Sequence, residues 1–175
     1  MQNISNEILN VIKESITLEI NGRSFYEHAA EITHNDLGKK MFRKLAEDEL
    51  GHIKTFGEMF TSALSSDEWK KYVEREEGNK STVLEELKAR IKKQEKQERA
   101  GELEALRIGM ELERKSIDHY EKSAKGINDP KAKEIFNELV KVEGFHYDML
   151  QAQYDHLIGS GFWFDIAEFR MDGKY

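Results

Sequence analysis

The chain contains two Glu-x-x-His units, Glu49 to His52 and Glu143 to His146, that lie 94 residues apart. The same offset relates further pairs of residues on either side of these units: Glu19 and Glu113, Tyr26 and Tyr120, Ala30 and Ala124, Phe42 and Phe136, Leu45 and Leu139. The repeat therefore covers a pair of secondary-structure elements rather than a tetrapeptide. Two copies of one hairpin are the strongest constraint on the fold of this chain.

The repeated segments have a helical period. Apolar residues recur every three, four or seven positions, which places them on one face of an α-helix. We predict a first helix over about 6–33 that stops in His34-Asn35-Asp36, and a second that carries the apolar stripe from Met41 to Ala63. The third helix ends near Gly126, and the fourth begins at Asp129-Pro130 and ends in Gly159-Ser160-Gly161.

The segment between the two hairpins, at about residues 65–97, is dense in charge and has only short apolar clusters. Thr82-Val83-Leu84-Glu85 has the form of a capping box, which predicts a helix start. We interpret the segment as the single long crossover that ferritin-like bundles use to join their halves. The alternative is a partly disordered, solvated run of charge. The predicted fold is all-α: a ferritin-like four-helix bundle over residues 1–160, followed by a tail over residues 161–175 that packs on one end of the bundle or on a partner chain.

Charged residues occupy the apolar stripes of all four helices. A buried carboxylate is costly unless it is paired, so these carboxylates require cationic partners. Two divalent ions would balance four carboxylates. A four-helix bundle holds two iron or manganese ions with one Glu from each of two helices and a Glu-x-x-His from each of the others. The candidate metal ligands are Glu19, Glu49, His52, Glu113, Glu143 and His146.

Other polar and aromatic residues are weaker candidates. A single Glu-x-x-His is common by chance, and only its duplication with a matching Glu on each remaining helix makes it specific. Tyr26 and Tyr120 each follow a proposed ligand by seven residues. They are either ordinary core aromatics or hydroxyl donors that support a ligating carboxylate. The remaining histidines lie off the repeat and are predicted at the surface or its boundary: His28, His34, His119 and His156.

Composition narrows the function classes. The sequence has no cysteine, which excludes zinc-thiolate sites, iron–sulfur clusters and a built-in rubredoxin module in these 175 residues. A net charge of −7 argues against nucleic-acid binding. No apolar run has the length of a membrane span, and the first residues lack the order of a signal peptide. We therefore expect a cytoplasmic protein with no nucleic-acid or membrane partner.

From about residue 6 to residue 158, the ligand pattern resembles the rubrerythrin-type branch of the ferritin-like diiron proteins. The resemblance implies two bridged irons, with Glu49 and Glu143 as bridging carboxylates and Glu19 and Glu113 as terminal ones. It further implies that His52 and His146 each bind one iron. Rubrerythrins reduce hydrogen peroxide to water in oxygen-avoiding organisms, with electrons from a rubredoxin-like centre.

The chain departs from that family in two respects. Without cysteine it resembles the shorter erythrin forms or depends on a separate electron donor. Rubrerythrins also have an additional Glu one turn after the third-helix ligand, where this chain has Ser116, and the repeat mate of Ser116 is Gly22. Neither residue can supply that carboxylate, so the set resembles the symmetric six-ligand site of bacterioferritins. Small residues here are expected to leave an open approach to the metals.

The sequence favours a non-haem diiron oxidoreductase that reduces hydrogen peroxide or dioxygen with electrons from an external donor such as a rubredoxin. Two iron ions are the expected cofactor, with manganese or a mixed pair as alternatives. Ferroxidase activity and iron handling are the second hypothesis, hydroxylation of a larger substrate a less favoured one, and a structural metal-stabilised protein without turnover the last. We expect a homodimer, because aromatic residues cluster in the tail: Phe162, Trp163, Phe164 and Phe169.

Overall fold

The computed structural model describes residues 6–64, 66–79, 81–94 and 98–165, and within these ranges the chain is helical without strands. Four long helices form the bundle: α1 (Asn6–Ile32), α2 (Asp36–Leu64), α5 (Glu98–Gly126) and α6 (Pro130–Ser160). Two short helices, α3 (Glu68–Gly78) and α4 (Thr82–Lys92), lie between α2 and α5. The all-α bundle predicted from the sequence is confirmed. No described helix is both long and apolar enough to cross a membrane.

Each half of the repeat folds as a helical hairpin. Helix α1 packs along α2, α5 packs along α6, and the two hairpins meet chiefly where α1 contacts α5. Contacts between Ser15 and His119 and between Tyr26 and Gly109 show that α1 and α5 run antiparallel. Of the two crossover helices, α4 packs on the outside of this seam against α1 and α5, whereas α3 packs on the first hairpin against α1 and α2.

Local signals at the helix ends explain most of the boundaries. The Asp129 side chain accepts a hydrogen bond from the Ala132 amide at 2.8 Å, and Pro130 occupies the first turn, as predicted. Gly161 ends α6 with a left-handed φ of 82°, a conformation that glycine adopts without a steric penalty. In α4 the predicted cap is off by one residue, because Ser81 rather than Thr82 accepts the hydrogen bond from the Leu84 amide.

Two separate apolar clusters fill the bundle. One surrounds Phe25, Phe42 and Leu150, and the other surrounds Phe56 and Phe136. On each long helix the proposed ligands lie at the point where the residues of one cluster give way to those of the other. The polar layer of the bundle is thus enclosed by apolar side chains on both sides.

The first residues of the tail pack on the bundle. Trp163 is buried, lies 6.1 Å from the Phe42 ring and donates from its indole nitrogen to Glu102 at 3.1 Å. Phe162, by contrast, is 73% exposed. Phe169 lies outside the described residues. In the described part of the tail, Phe164 and Asp165 also contact the bundle, through the His156 ring and Lys40.

Candidate metal centre

Six ionisable side chains from the four long helices converge in the middle of the bundle, and all of them are buried. These are the six residues proposed as ligands from the sequence: Glu19, Glu49, His52, Glu113, Glu143 and His146. Helices α1 and α5 each contribute one carboxylate, while α2 and α6 each contribute a Glu and a His. Each Glu-x-x-His pair faces inwards because residues three apart share one helix face.

The cluster divides into two groups of four residues, each with potential ligand atoms within 4.8 Å of one another. One group is Glu19, Glu49, His52 and Glu143, and we call it the His52 position. The other is Glu49, Glu113, Glu143 and His146, and we call it the His146 position. Glu49 and Glu143 belong to both groups. Two carboxylates common to adjacent positions are the arrangement that bridges a pair of ions.

Both imidazole rings present the Nδ1 atom to the carboxylates. His52 Nδ1 lies 3.0 Å from Glu143 Oε1 and 3.3 Å from Glu19 Oε2. His146 Nδ1 lies 2.9 Å from Glu143 Oε2 and 3.8 Å from Glu113 Oε1. The two rings stack with their centroids 5.9 Å apart. The Nδ1 atoms are therefore the nitrogens available to ions held among these oxygens.

Two tyrosine hydroxyls brace the cluster across the seam between the hairpins. Tyr26 on α1 donates to Glu113 Oε1 on α5, and Tyr120 on α5 donates to Glu19 Oε1 on α1. Burial, followed by the nearby carboxylates, raises the pKa of both tyrosines well above the usual value, so the hydroxyls keep the protons that they donate. The spacing left two roles open, core aromatic or hydroxyl donor to a carboxylate, and the structure shows the donor role, with each bond reaching the opposite hairpin.

Asp48 is a further member of the site that sequence reasoning missed. Its Oδ2 atom lies 3.4 Å from Nε2 of His146, the ring nitrogen that faces away from the cluster, and it also pairs with Lys44. Burial opposes the charged ring of His146, but hydrogen bonds with Asp48 and Glu143 raise its pKa to about 10. In the sequence, the only sign that Asp48 belongs to the site is its position next to the proposed ligand Glu49. The repeat concealed it, because the residue corresponding to Asp48 is Val142.

The electrostatics show how strongly the buried charges interact. Burial and the neighbouring carboxylates raise the pKa of Glu49 and of Glu113 well above the usual range. For Glu143, burial by itself would raise the pKa, but the hydrogen bond with His146 and the nearby ring of His52 lower it. Protons shared in this way can balance the carboxylates in place of cations, so metal uptake must displace protons.

The residues present fit a pair of divalent cations. Glu143 Oε1 is buried and accepts no aligned hydrogen bond in the described part of the chain, although His52 Nδ1 lies 3.0 Å away. A buried oxygen with a free lone pair is costly unless a cation or donor satisfies it. Mixed carboxylate and imidazole ligation suits iron and manganese, whereas calcium prefers oxygen ligands alone. The cluster could therefore hold two such ions.

A small cavity leads to the cluster between α1, α4 and α5. It has a volume of about 130 Å³, and Glu49 and Glu113 form its inner end. Gly22, Ser116 and Val83 of the crossover helix α4 are among its other walls. A Cβ atom at Gly22 would lie 3.5 Å from the Glu49 carboxylate carbon. Larger grooves exist at the amino-terminal end of α1, but none of the six clustered residues lines them.

The four remaining histidines do not join the cluster. His34 and His156 are exposed, while His28 and His119 are partly buried at the boundary of the bundle. The groups of described residues that could hold a metal include none of them. This placement agrees with the prediction that they lie at the surface or its boundary.

The Rubrerythrin family model matches residues 10–154, a span that contains all six clustered residues and both tyrosines. The chain belongs to the rubrerythrin family. Membership implies iron binding, and the buried Glu and His cluster could hold the metal. Comparison with curated proteins and with solved structures gives no significant match. The family match thus identifies the type of protein but not the reaction that it catalyses.

Proposed function

We propose that this rubrerythrin-family chain is a non-haem diiron oxidoreductase that reduces hydrogen peroxide or dioxygen with electrons from an external donor such as a rubredoxin. The proposal depends mainly on one observation, the two overlapping ligand groups that share Glu49 and Glu143. Bound there, two iron ions supply the electrons and the Lewis acidity that reduction of an O–O bond requires.

The protein's own residues contribute binding, orientation and exclusion of water. The carboxylates of Glu49 and Glu143 would serve both ions, while hydrogen bonds from Tyr26 and Tyr120 hold the carboxylates of α5 and α1 in place. Apolar clusters on both sides of the polar layer limit the access of water. A fixed and partly dry ligand shell lowers the reorganisation needed when the charge at the centre changes.

The cavity between α1, α4 and α5 favours a small oxidant. Its volume of about 130 Å³ is ample for hydrogen peroxide or dioxygen, and we expect a bulky aromatic hydroperoxide to enter it less readily. Gly22 and Ser116 keep the inner end open because neither carries a bulky side chain. The cavity therefore argues against the hydroxylation of a large organic substrate at this centre.

The decisive experiment is anaerobic loading with Fe(II) followed by separate mixing with hydrogen peroxide, air and cumene hydroperoxide. We expect near-ultraviolet absorption of bridged ferric iron with the two small oxidants, and oxidation by cumene hydroperoxide slower by about 10-fold or more. Gly22→Val should slow oxidation by peroxide while two irons remain bound. Gly51→Val is the matched control, since a Cβ atom at Gly51 meets nothing within 4 Å.

A failure of this experiment can be read in two ways. Binding of two irons without oxidation by either small oxidant would leave a structural metal site and reject the proposed redox function. Equal rates with large and small hydroperoxides would reject the cavity as the route of entry.

Ferroxidase activity is the second candidate function. It is favoured by Ser116 and Gly22, which stand one turn after the ligands Glu113 and Glu19 and supply no additional carboxylate. In that case Fe(II) is the substrate, and many equivalents per chain should be oxidised by dioxygen without an added reductant. A reaction that stops after two irons per chain, and restarts only when a reduced donor is supplied, would favour the peroxidase or oxidase reading.

We also propose that the protein is a homodimer. Phe162 and Ile158, close together in the chain, are 73% and 56% exposed although both are large and apolar. Such residues at the end of α6 are more favourable when a second subunit covers them. Light scattering at micromolar concentration should give twice the chain mass of 20.4 kDa. A monomer would contradict the proposal, and a large shell would favour iron storage.

A further inference from the structure

The His52 and His146 positions have nearly equivalent ligands. Each consists of one imidazole Nδ1, the shared Glu49 and Glu143, and one further carboxylate that accepts a tyrosine hydroxyl. Differences among the directly ligating atoms therefore cannot make one position much stronger than the other. Any inequality has to come from groups outside this set.

One such difference lies behind the imidazoles. The Nε2 atom of His146 faces Asp48 Oδ2 at 3.4 Å, and Lys44 holds Asp48 from the opposite side. The repeat places Val142 where an acid would have to stand to support His52 in the same way. Among the described residues, the ion pairs of His52 all involve its Nδ1 atom.

His146, which has the supporting acid, is also the more deeply buried of the two histidines. The side chain of His52 is 11% exposed, and that of His146 is 3% exposed. A ring that is partly accessible and lacks a carboxylate behind it has more freedom to turn away from an ion. A carboxylate that accepts the far N–H of a metal-bound imidazole fixes the tautomer and the orientation of the ring and increases its basicity.

We propose that the two positions fill in order: the first divalent ion binds at the His146 position, and the second binds more weakly at the His52 position. Asp48 is the positioning residue that sets this order. Loss of such a supporting carboxylate typically costs about 10- to 100-fold in metal affinity, so we expect the two binding steps to differ by roughly that factor. The inference depends on the metal-binding part of the proposed function but not on its redox part.

The order can be measured with Zn(II), which binds without redox chemistry. Calorimetric titration of the metal-free protein should show two steps. Nitrogen-15 spectra of the imidazoles, assigned with His52→Gln and His146→Gln, should show His146 shifting at the first equivalent and His52 at the second. Failure to bind two ions would count against the proposed function itself, whereas two ions bound in one equivalent step would overturn only the filling order.

Substitutions that exchange Asp48 and Val142 test whether Asp48 sets the filling order. Asp48→Val copies the residue of the other half and should weaken the first step by about 10- to 100-fold, which brings the two steps together. Asp48→Asn keeps a hydrogen-bond acceptor and should recover part of the loss. Glu47→Val is the matched control, because it removes one negative charge from an exposed position of the same helix.

The reciprocal variant does not depend on whether Asp48→Val folds well. Val142 is 38% exposed, so Val142→Asp should be tolerated, and it should strengthen the second step several-fold while the first remains unchanged. If Asp48→Val behaves like Glu47→Val, or if Val142→Asp leaves the second step unchanged, Asp48 does not set the order and the inference is wrong.

Discussion

The two hairpins of this protein are alike where they face each other and different where they do not. Glu19, Glu49 and His52 in the first hairpin have identical counterparts in the second, and all of them point into one buried cluster. Positions behind this layer differ: Asp48 corresponds to Val142, and the half-buried His119 corresponds to the fully buried Phe25. The comparison indicates that the two halves are equivalent at the inner cluster and unequal in the residues that lie behind it.

The largest effect is expected where the hairpins share residues. Glu49→Ala and Glu143→Ala should each remove both ions, because each carboxylate belongs to both ligand groups. Glu19→Ala and Glu113→Ala, which each affect one group, should leave about one ion per chain. Metal analysis after Fe(II) reconstitution, with two irons per chain in the unaltered protein, measures the difference.

Glu49→Ala should remain folded, since Glu49 is crowded by other buried carboxylates, whereas Glu143→Ala also leaves His52 and His146 without their charge partner and should be the less stable of the two. Circular dichroism checks this point. Retention of one ion in Glu49→Ala and in Glu143→Ala would show that the two carboxylates do not bridge.

Removal of a tyrosine hydroxyl should cause a smaller loss of metal affinity, at the position whose terminal carboxylate lies in the other hairpin. Tyr26→Phe removes the hydrogen bond to Glu113 and should weaken the His146 position, while Tyr120→Phe removes the bond to Glu19 and should weaken the His52 position. We expect about a 10-fold loss of affinity in each case. Zn(II) titration with the histidine nitrogen signals distinguishes the positions, and Tyr154→Phe serves as a control outside the cluster. Weakening of the position in the same hairpin would contradict the crossed arrangement.

A change at Ser116 should alter the choice of oxidant several-fold. Ser116→Glu places a carboxylate one turn from Glu113, at the wall of the cavity and within reach of one ion. Oxidation of the reduced site by peroxide should then accelerate relative to oxidation by dioxygen. Stopped-flow measurement of both rates gives the ratio, with Ser116→Gln as the uncharged control. An unchanged ratio with two irons bound would show that Ser116 does not determine the chemistry.

The smallest effect concerns His119, whose counterpart is Phe25. His119 Nε2 lies 3.0 Å from Ser15 Oγ, and burial lowers its pKa, with Glu14 opposing the shift. The folded state therefore binds fewer protons than the unfolded chain, in which histidine has a pKa of about 6.5. Its contribution to stability should be present above that value and decline as the pH falls below it.

Urea unfolding of the metal-free protein at pH 7.5 and 5.5 tests this sign. Relative to the His119→Phe variant, the unaltered protein should have a smaller free energy of unfolding at pH 5.5 than at pH 7.5. No shift, or one in the opposite direction, would show that burial does not control this group.

Most of the fold and of the site could be predicted because each key residue type occurs at matching positions in both hairpins. Glu19 in an apolar stripe could be a surface residue in one helix, but its match with Glu113 and with the Glu-x-x-His units leaves few folds that bury all of them. The residues outside the repeat were harder to assign. Asp48 has no acidic counterpart, and Ser81 caps α4 one residue before the predicted box because Ser and Thr are both good caps.

The sequence by itself determined the all-α bundle and which six residues meet in its centre, because both follow from helical periodicity and an internal repeat. The tertiary structure decided which groups face one another across helices: Tyr26 with Glu113, and Asp48 with His146. It also showed that α4 closes one wall of the cavity. These pairings depend on the antiparallel alignment of α1 with α5 and on how the hairpins are placed against each other. Such relations join residues far apart in the chain, and no local period encodes them.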